Sequence, residues 1–479
     1  MGWSDSLRRP HAGAFSWPRP LSYDDEACGA RPLTLRILLV RHGLSSFNVE
    51  HRIQGRDDLS SLTKEGASQA RRAGAALAEL PLAAAYSSPL SRARDTAALL
   101  LESQGHAGSA QLDDDLLEID LAPWSGRLRQ ELGRLDPEGE RCWREAPERL
   151  ELARADGSRY RPLPELMVQA RRFVGGLLER HRSALDGERQ ETVLVVAHNA
   201  ILRCLLLQLL GLDAAGFRRL RLDNASISVL NLQRAATGAV DVQIESLNGC
   251  SHLGPPLPPT GPGPRLLLVR HGETDWNRQG RFQGQIDIPL NANGLAQAEA
   301  ARRFLAEVPI HRAYTSAMAR PRQTAEVILR DHPGVPLTST TGLLEIGHGL
   351  WEGRLESEIA EGWPRLLAEW KLQPHSVQMP EGENLQQVWD RSLETWDSIA
   401  RSLRDAETAL VVAHDAVNKT ILCGLLGLRP DDIWAVKQGN GGVTVIDYPQ
   451  GPAGQPVVAC MNLTAHLGGV LDRTAAGAL

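Results

Sequence analysis

The chain has 479 residues, a net charge of -6, 42% hydrophobic residues and 23% charged residues. This length predicts two to four domains, and the apolar fraction is typical of a folded protein with large cores rather than of a disordered chain. The acidic balance disfavours a nucleic-acid-binding role, because proteins with that role are normally basic.

We also expect neither a signal peptide nor a framework built on cysteines. No run of about 18 apolar residues is present, so we expect no membrane-spanning helix and no membrane partner. The six cysteines include no C-x-x-C pair, which disfavours a zinc site or a disulfide framework and favours a reduced, cytoplasmic location. Residues 1–34 lack the apolar core of a signal peptide, and we expect them to form a poorly ordered extension.

Short apolar runs alternate with helical patterns from residue 35 onward. Ile37–Val40 and Val193–Ala197 have the composition of buried parallel strands. Thr63 is an N-cap candidate for a helix over Lys64–Leu80, and Ser88 is a second candidate for the helix that follows it. This alternation predicts an α/β fold, with helices on both faces of a mostly parallel sheet.

The whole pattern occurs twice in the chain. Arg36–Gly43 returns as Arg265–Gly272, and Thr192–His198 returns as Thr408–His414. A repeat of this length is a duplicated domain rather than a solenoid unit. We therefore predict two tandem three-layer α/β/α domains.

A proline-rich segment separates the two copies. Residues 255–264 read PPLPPTGPGP, which is incompatible with a helix or a central strand. We expect an extended spacer of up to about 31 Å. The predicted organisation is domain 1 over residues 35–253, a linker over 254–264, and domain 2 over 265–479.

A histidine ends each of the four clearest strand signals. His42 and His198 lie in the first copy, and His271 and His414 lie in the second. A single histidine at a strand end would more often be structural. Ligands bind at the carboxyl ends of parallel strands in α/β sheets, so equivalent placement in both copies favours a functional site.

Two arginines accompany the histidines of each copy. Arg41 and Arg270 precede the first histidine, and Arg92 and Arg320 fall in the first turn of a later helix. The guanidinium fork matches phosphate oxygens, and a helix N-terminus also favours an anion. The glycine after the first histidine, Gly43 in domain 1, would let the backbone approach a ligand closely. We expect a pocket for a small dianion.

A glutamate completes each set. Glu118 and Glu345 are flanked by apolar residues, and a low dielectric favours the protonated form that a general acid needs. The combination predicts phosphoryl transfer to a histidine nucleophile, with a carboxylic acid that protonates the leaving group. No metal-ligand spacing is present, so we expect no metal and no cofactor.

At this point the chain resembles the histidine phosphatase, or phosphoglycerate mutase-like, superfamily. The opening signature reads LVRHGETDWN at residues 268–277 and LVRHGLSSFN at residues 39–48, and the second copy adds PEGEN at 380–384. The resemblance covers nearly all of residues 35–479. In its tandem form the chain resembles cyanobacterial and chloroplast phosphatases linked to phosphoserine or to 2-carboxy-D-arabinitol 1-phosphate.

The resemblance implies a role for each candidate residue. His42 and His271 would be the nucleophiles that become phosphohistidine, and Glu118 and Glu345 would be the proton donors. The phosphate would be bound by Arg41, Arg92, His198, Arg270, Arg320 and His414. The phosphate and substrate side would be lined by Asn48, Gln54, Gly55, Asn277, Gln283 and Gly284.

The function implied is metal-independent hydrolysis of small phosphorylated metabolites, with phosphoserine or 2-carboxyarabinitol 1-phosphate as leading substrates. A phosphoglycerate mutase is an alternative, disfavoured because no long lid segment separates Glu345 from His414. A phospho-ligand binding module in which one domain is catalytically inactive is a further alternative. It is disfavoured because both copies keep every expected catalytic residue. The oligomeric state is not readable from the sequence.

Domain 1 departs from the family pattern at the substrate side. Ser125 stands where the family usually has a glutamate, and the PEGEN segment has no counterpart. Whether the two domains share a substrate therefore stays open. His348 occurs only in domain 2, and we interpret it as an ordinary loop histidine rather than a substrate contact.

Overall fold

The computed structural model describes residues 35–235, 237–254 and 256–475. The strands of domain 1 are β1 Leu35–Arg41, β2 Ala84–Ser87, β3 Gln111–Leu112, β4 Leu152–Ala153, β5 Arg159–Tyr160, β6 Glu191–Ala197, β7 Ile227–Arg234 and β8 Val240–Gly249. Its helices are α1 Ser46–Val49, α2 Lys64–Ala76, α3 Ser91–Gln104, α4 Arg129–Leu135, α5 Pro137–Glu145, α6 Pro162–Arg180, α7 Arg182–Leu185 and α8 Asn199–Leu209.

Domain 2 repeats this order without the β4–β5 hairpin and α7, and it adds a short α-helix after its last strand. Its strands are β9 Arg265–Arg270, β10 Arg312–Ser316, β11 Leu337–Thr340, β12 Thr408–Ala413, β13 Val443–Asp447 and β14 Val457–Leu463. Its helices are α9 Asp275–Gln279, α10 Ala292–Leu305, α11 Ala319–Ile328, α12 Glu356–Gly362, α13 Pro364–Leu372, α14 Leu385–Ser402, α15 Asp415–Leu426 and α16 Ala465–Gly468. No helix in the described part of the chain is long and apolar enough to cross a bilayer.

Each domain is built on a mostly parallel sheet, as the sequence predicts. In domain 1 the strand order is β3-β2-β6-β1-β7-β8. β3, β2, β6 and β1 run parallel to one another, β7 runs antiparallel to β1, and β8 runs antiparallel to β7. Alternate residues of β1 face opposite cores: Ile37 packs with α6 and α8, and Leu38 packs with α2 and α3. Helices therefore cover both faces of the sheet, and the predicted α/β architecture is confirmed.

The two domain sheets form one continuous sheet, which the sequence did not predict. β8 and β14 pair antiparallel through Leu247 and Met461, which gives a 12-stranded sheet across both domains. The contacts are reciprocal. The Asn248 side chain donates to the Ala459 carbonyl at 2.6 Å, and the equivalent Asn462 side chain donates to the Glu245 carbonyl at 2.8 Å. Each domain thus hydrogen-bonds to the backbone of the other.

The proline-rich segment is anchored to domain 2. Leu257 is buried in the domain 2 core. Arg265 donates to the carbonyls of Pro258 at 2.8 Å and Pro259 at 3.1 Å, and its guanidinium also pairs with Asp447 at 2.6 Å. These contacts fix the start of the segment onto the domain instead of leaving it as a free spacer. The expectation for residues 1–34 lies outside the described residues.

Two helix ends differ from the sequence prediction. α2 stops at Ala76 rather than Leu80, and the Gln104 side chain donates to the Leu80 carbonyl at 2.7 Å beyond the helix end. α3 begins at Ser91 with Leu90 at the N-cap, so Ser88 does not cap it. The reason is that the Ser88 hydroxyl contacts a histidine of the site.

Candidate active site

The two histidines of each domain meet at the carboxyl edge of the sheet. β1 and β6 are parallel neighbours, so the residues that follow them, His42 and His198, lie side by side with ring centroids 5.2 Å apart. β9 and β12 bring His271 and His414 to the same 5.2 Å separation. All four rings are buried. The sequence prediction that these side chains come together is confirmed in both domains.

Backbone carbonyls fix the tautomer of the first histidine. His42 Nδ1 lies 2.8 Å from the Gly43 carbonyl, and His271 Nδ1 lies 2.7 Å from the Gly272 carbonyl. A carbonyl oxygen only accepts, so Nδ1 carries the hydrogen and Nε2 keeps its lone pair. In domain 2 that lone pair accepts from Arg320 Nε at 3.2 Å.

The first histidines are held neutral. Burial, followed by the positive charges of Arg320 and Arg270, places the pKa of His271 well below its usual range. Burial, followed by Arg41 and Arg92, does the same to the pKa of His42. Both causes disfavour the charged imidazolium. A neutral ring with an unprotonated Nε2 is the form that a nitrogen nucleophile requires.

The glycine after the first histidine has a different role from the one expected. A Cβ on Gly43 would come within 2.4 Å of the Gly66 carbonyl at the start of α2. A Cβ on Gly272 would come within 2.3 Å of the Gly294 carbonyl at the start of α10. Glycine at this position therefore makes room for a helix rather than for a ligand.

A serine orients the second histidine, which the sequence did not reveal. His198 Nε2 lies 2.8 Å from Ser88 Oγ, and His414 Nε2 lies 2.9 Å from Ser316 Oγ. Ser88 Oγ also accepts from the Leu90 N–H at 3.4 Å, and we assign its own hydrogen to the ring nitrogen. The hydrogen of His198 and His414 then sits on Nδ1, and that buried atom has no partner among the described residues. A ligand oxygen would satisfy it.

The helical arginines are wholly buried and fixed by carbonyls. Arg92 donates to the Gly55 carbonyl at 3.0 Å, and Arg320 donates to the Gly284 carbonyl at 2.8 Å. The Gln-Gly turns predicted to line the phosphate side thus hold these guanidiniums in place. The strand arginines are positioned similarly: Arg41 donates to a carbonyl at 2.8 Å.

An asparagine pair closes the loop beside the first histidine. Asn277 Oδ1 accepts from the Thr274 N–H at 3.1 Å and from the Asn440 side chain at 3.4 Å, and Asn440 also donates to the His271 carbonyl at 3.1 Å. Gln283 donates to Thr274 Oγ1 at 2.7 Å, so it supports this turn. In domain 1 Asn224 contacts Asn48 and the His42 carbonyl in the same way, and Gln54 accepts from the Ser45 hydroxyl at 3.2 Å. Asn224 and Asn440 were missed, although both copies have an asparagine there.

The candidate acids lie at the N-terminus of the helix after the second histidine. The Glu118 carboxylate accepts from the backbone N–H groups of Ala200 at 3.1 Å and Ile201 at 3.2 Å. Glu345 accepts from the Ala416 N–H at 3.3 Å. Burial, followed by the negative charge of Asp415, raises the pKa of Glu345 above its ordinary value. Both causes stabilise the protonated form of Glu345 relative to that of an exposed glutamate.

His348 packs inside domain 2. It is buried, and its ring makes edge contacts with Phe282 at 5.1 Å and Trp370 at 6.2 Å between centroids. Burial alone lowers its pKa to about 3. His348 lies in the loop before the short helix Gly349–Trp351, as expected, and its ring is a buried packing group.

Glu352, at the position of Ser125 in domain 1, ties down the substrate-side loop of domain 2. It accepts from the backbone N–H groups of Gln285 at 2.8 Å, Ile286 at 3.0 Å and His348 at 3.1 Å. The shorter Ser125 leaves its buried hydroxyl without a partner in the described part of domain 1. No group of three or more His, Cys, Asp or Glu side chains in the described ranges is arranged to hold a metal ion.

Comparison with known proteins agrees with this geometry. The model of the histidine phosphatase superfamily (branch 1) matches residues 37–244 and 266–463. The chain is 29% identical over 449 residues to a probable 2-carboxy-D-arabinitol-1-phosphatase of Arabidopsis thaliana, covering 91% of this chain and 88% of that protein. It is similarly 29% identical over 462 residues to 2-carboxy-D-arabinitol-1-phosphatase of Triticum aestivum, covering 90% and 86%.

A shorter relative matches a single domain. Phosphoserine phosphatase 1 of Hydrogenobacter thermophilus is 30% identical over 204 residues, covering 43% of this chain and 94% of that protein. Both matched regions of the family model contain the full set of histidines, arginines and glutamate described above. The chain therefore belongs to the histidine phosphatase superfamily, branch 1, as a phosphoric monoester hydrolase with two tandem family domains.

Proposed function

We propose that the protein hydrolyses small phosphorylated metabolites without a metal, through a phosphohistidine formed on His271 in domain 2 and on His42 in domain 1. The observation that carries the proposal is the neutral first histidine beside a second histidine whose Nδ1 has no protein partner among the described residues. One group supplies a lone pair, and the other supplies a donor for a phosphate oxygen.

In the first step, His271 Nε2 attacks the phosphorus atom. The P–N bond forms while the bond from phosphorus to the leaving oxygen breaks, and Glu345 gives its proton to that oxygen. Arg270, Arg320 and the Nδ1–H of His414 bind the equatorial oxygens, where negative charge is spread. The raised pKa of Glu345 suits this role, since the acid must be protonated when the substrate arrives.

In the second step, water cleaves the phosphoenzyme. The Glu345 carboxylate takes a proton from the water as its oxygen attacks phosphorus, the P–N bond breaks, and His271 recovers its lone pair. Inorganic phosphate leaves the pocket. Domain 1 would follow the same steps with His42, Glu118 and His198, and with Arg41 and Arg92 as the phosphate-binding cations.

Phosphoserine and 2-carboxyarabinitol 1-phosphate are the leading substrates, in keeping with the names of the relatives. The cytoplasmic location and the absence of a nucleic-acid partner stay predictions that rest on the composition.

The decisive experiment is phosphate release in the presence of EDTA from phosphoserine, 2-carboxyarabinitol 1-phosphate, phosphoglycerates and sugar bisphosphates. We expect release that His271→Ala abolishes in domain 2 and His42→Ala abolishes in domain 1. Full activity in the variant carrying both substitutions would refute the mechanism. Conversion of 3-phosphoglycerate to 2-phosphoglycerate without release would make the protein a mutase instead.

A further inference from the structure

The two pockets differ in charge next to the phosphate-binding arginines. Asp415 in domain 2 lies between two cations, 3.5 Å from Arg270 and 2.8 Å from Lys419. The equivalent position in domain 1 is Asn199, whose buried side-chain oxygen has no partner among the described residues. Domain 1 therefore lacks the internal carboxylate that balances the cations of domain 2.

Arg203 in domain 1 stands at the position of Lys419. Its guanidinium lies 5.1 Å over the Phe217 ring, its buried Nε has no acceptor in the described structure, and it is close enough to Arg41 for that charge to act on it. Burial, followed by Arg218 and Arg41, lowers the pKa of Arg203 to about 9. A buried cation of this kind is costly unless an anion pairs with it.

The nearest carboxylates have other partners. Glu118 accepts backbone N–H groups at the start of α8, and Asp223 pairs with Arg221 at 3.0 Å and accepts from Asn248. Both carboxylates act on the charge of Arg203 from a distance, but neither forms an ion pair with it in the described structure.

A second arginine strengthens the contrast. Arg218 lies in the short helix Ala214–Arg219, stacks 5.1 Å over the Trp143 ring and donates one hydrogen bond to the Trp143 carbonyl. Its buried Nε has no acceptor in the described residues. Its counterpart in the short helix Pro430–Ala435 is Trp434, which stacks on Lys419. An uncharged ring in domain 2 thus replaces a cation of domain 1.

A third position follows the same trend at the rim. Arg129 is the first residue of α4 and acts on the charge of Arg41, whereas the first residue of α12 is Glu356. These three differences each make domain 1 more positive, and they outnumber the one opposite difference, Asp223 in domain 1 against Gly439 in domain 2.

We propose that domain 1 binds a ligand with a second anionic group, a carboxylate or a further phosphate, held by Arg203 and Arg218, and that domain 2 makes no corresponding contact to this group. In domain 2 the Asp415 carboxylate pairs with the cations that, at the equivalent place in domain 1, would pair with the anionic group of the ligand. This inference rests on the proposed function and assigns different substrate charge to the two sites.

The test uses the full chain with one nucleophile removed at a time. His271→Ala leaves domain 1 as the active site, and His42→Ala leaves domain 2. The probes are 3-phosphoglycerate and glycerol 3-phosphate, which differ in a carboxylate against a hydroxymethyl group. We expect domain 1 to prefer 3-phosphoglycerate about 10- to 100-fold in kcat/KM, the value of a charge-assisted contact, and domain 2 to prefer it less than about threefold. Equal preferences in both chains would overturn the proposal.

Substitution of domain 2 residues into domain 1 tests whether Arg203 and Arg218 bind the second anionic group. In the His271→Ala chain, Arg218→Trp and the pair Asn199→Asp with Arg203→Lys should each raise KM for 3-phosphoglycerate about tenfold or more, and change KM for glycerol 3-phosphate little. Arg218→Lys should keep most of the preference. Arg71→Met removes an exposed arginine of α2 and is the matched control, expected to change neither substrate. Equal losses on both substrates would indicate a merely structural role and would overturn the assignment.

Calorimetry separates this inference from the proposed function. In the chain carrying both His42→Ala and His271→Ala, we expect 3-phosphoglycerate to bind tightly at one site per chain, and Arg203→Met to remove that site while inorganic phosphate still binds. If no chain turns over any substrate, the proposed function fails, and these titrations still decide the charge difference. Two indistinguishable sites, or none that responds to Arg203→Met, would refute it.

Discussion

Ser316 should control the activity of domain 2 through the tautomer of His414. The hydroxyl and the ring are both wholly buried, and their contact is 2.9 Å long. In Ser316→Ala the buried Nε2 loses its donor, which costs about 1–3 kcal/mol. Since about 1.4 kcal/mol is a factor of ten, we expect kcat/KM to fall roughly 5- to 150-fold.

The assay is hydrolysis of p-nitrophenyl phosphate by the full chain with His42→Ala, so that only domain 2 turns over. Ser392→Ala is the matched control, because Ser392 is an equally buried serine whose hydroxyl contacts Thr420 at 2.9 Å, away from the site. It should lower the free energy of unfolding by a similar amount and leave kcat/KM unchanged. Activity of Ser316→Ala within twofold of its parent would refute the role of the hydroxyl, as would an equal loss in the control.

Three further predictions follow from the charges and contacts of the chain. In the His42→Ala chain, Asp415→Asn removes a negative charge that raises the pKa of Glu345. Glu345 should then lose its proton at a lower pH, so the fall of kcat/KM on the alkaline side should move to lower pH. An unchanged pH dependence of kcat/KM would contradict this. Because the pKa of His271 is held well below 6.5, the same chain should show no loss of kcat/KM from protonation of that histidine between pH 7 and 6, and an acid limb centred near pH 6.5 would argue against it. Asn462→Ala removes hydrogen bonds to the Gly439 N–H at 2.7 Å and to the Glu245 carbonyl at 2.8 Å, and it places alanine at a φ of 51°, which alanine disfavours. Urea denaturation should show that the free energy of unfolding falls by about 2–4 kcal/mol. A fall of less than about 1 kcal/mol would count against the contribution of these contacts.

The sequence was informative where a pattern is local and occurs twice. An unbroken apolar run followed by Arg-His-Gly predicts a buried strand with its histidine at the carboxyl edge, and this holds for His42 and His271. The arginine in the first helical turn and the glutamate between apolar residues follow the same logic. Their placement depends on short-range periodicity, which a sequence displays directly.

Long-range partners were not predictable in the same way. Ser88 has the local context of an N-cap, and only the packed structure brings the His198 ring to its hydroxyl. The pairing of β8 with β14 was hidden because an apolar strand does not state which strand will lie beside it. The significance of Asn199 was missed because its meaning lies in the contrast with Asp415, whose contacts to two cations require coordinates.

The pairing of β8 with β14 bears on how the two sites came to differ. In an assembly of two identical subunits, any point mutation appears in both active sites at once, and a change that suits one site must be tolerated by the other. In this chain the joined sheet holds two separately encoded sites at a fixed one-to-one ratio. Asn199 and Asp415 are therefore encoded independently of each other. The fused architecture permits the two halves to diverge while neither loses its neighbour.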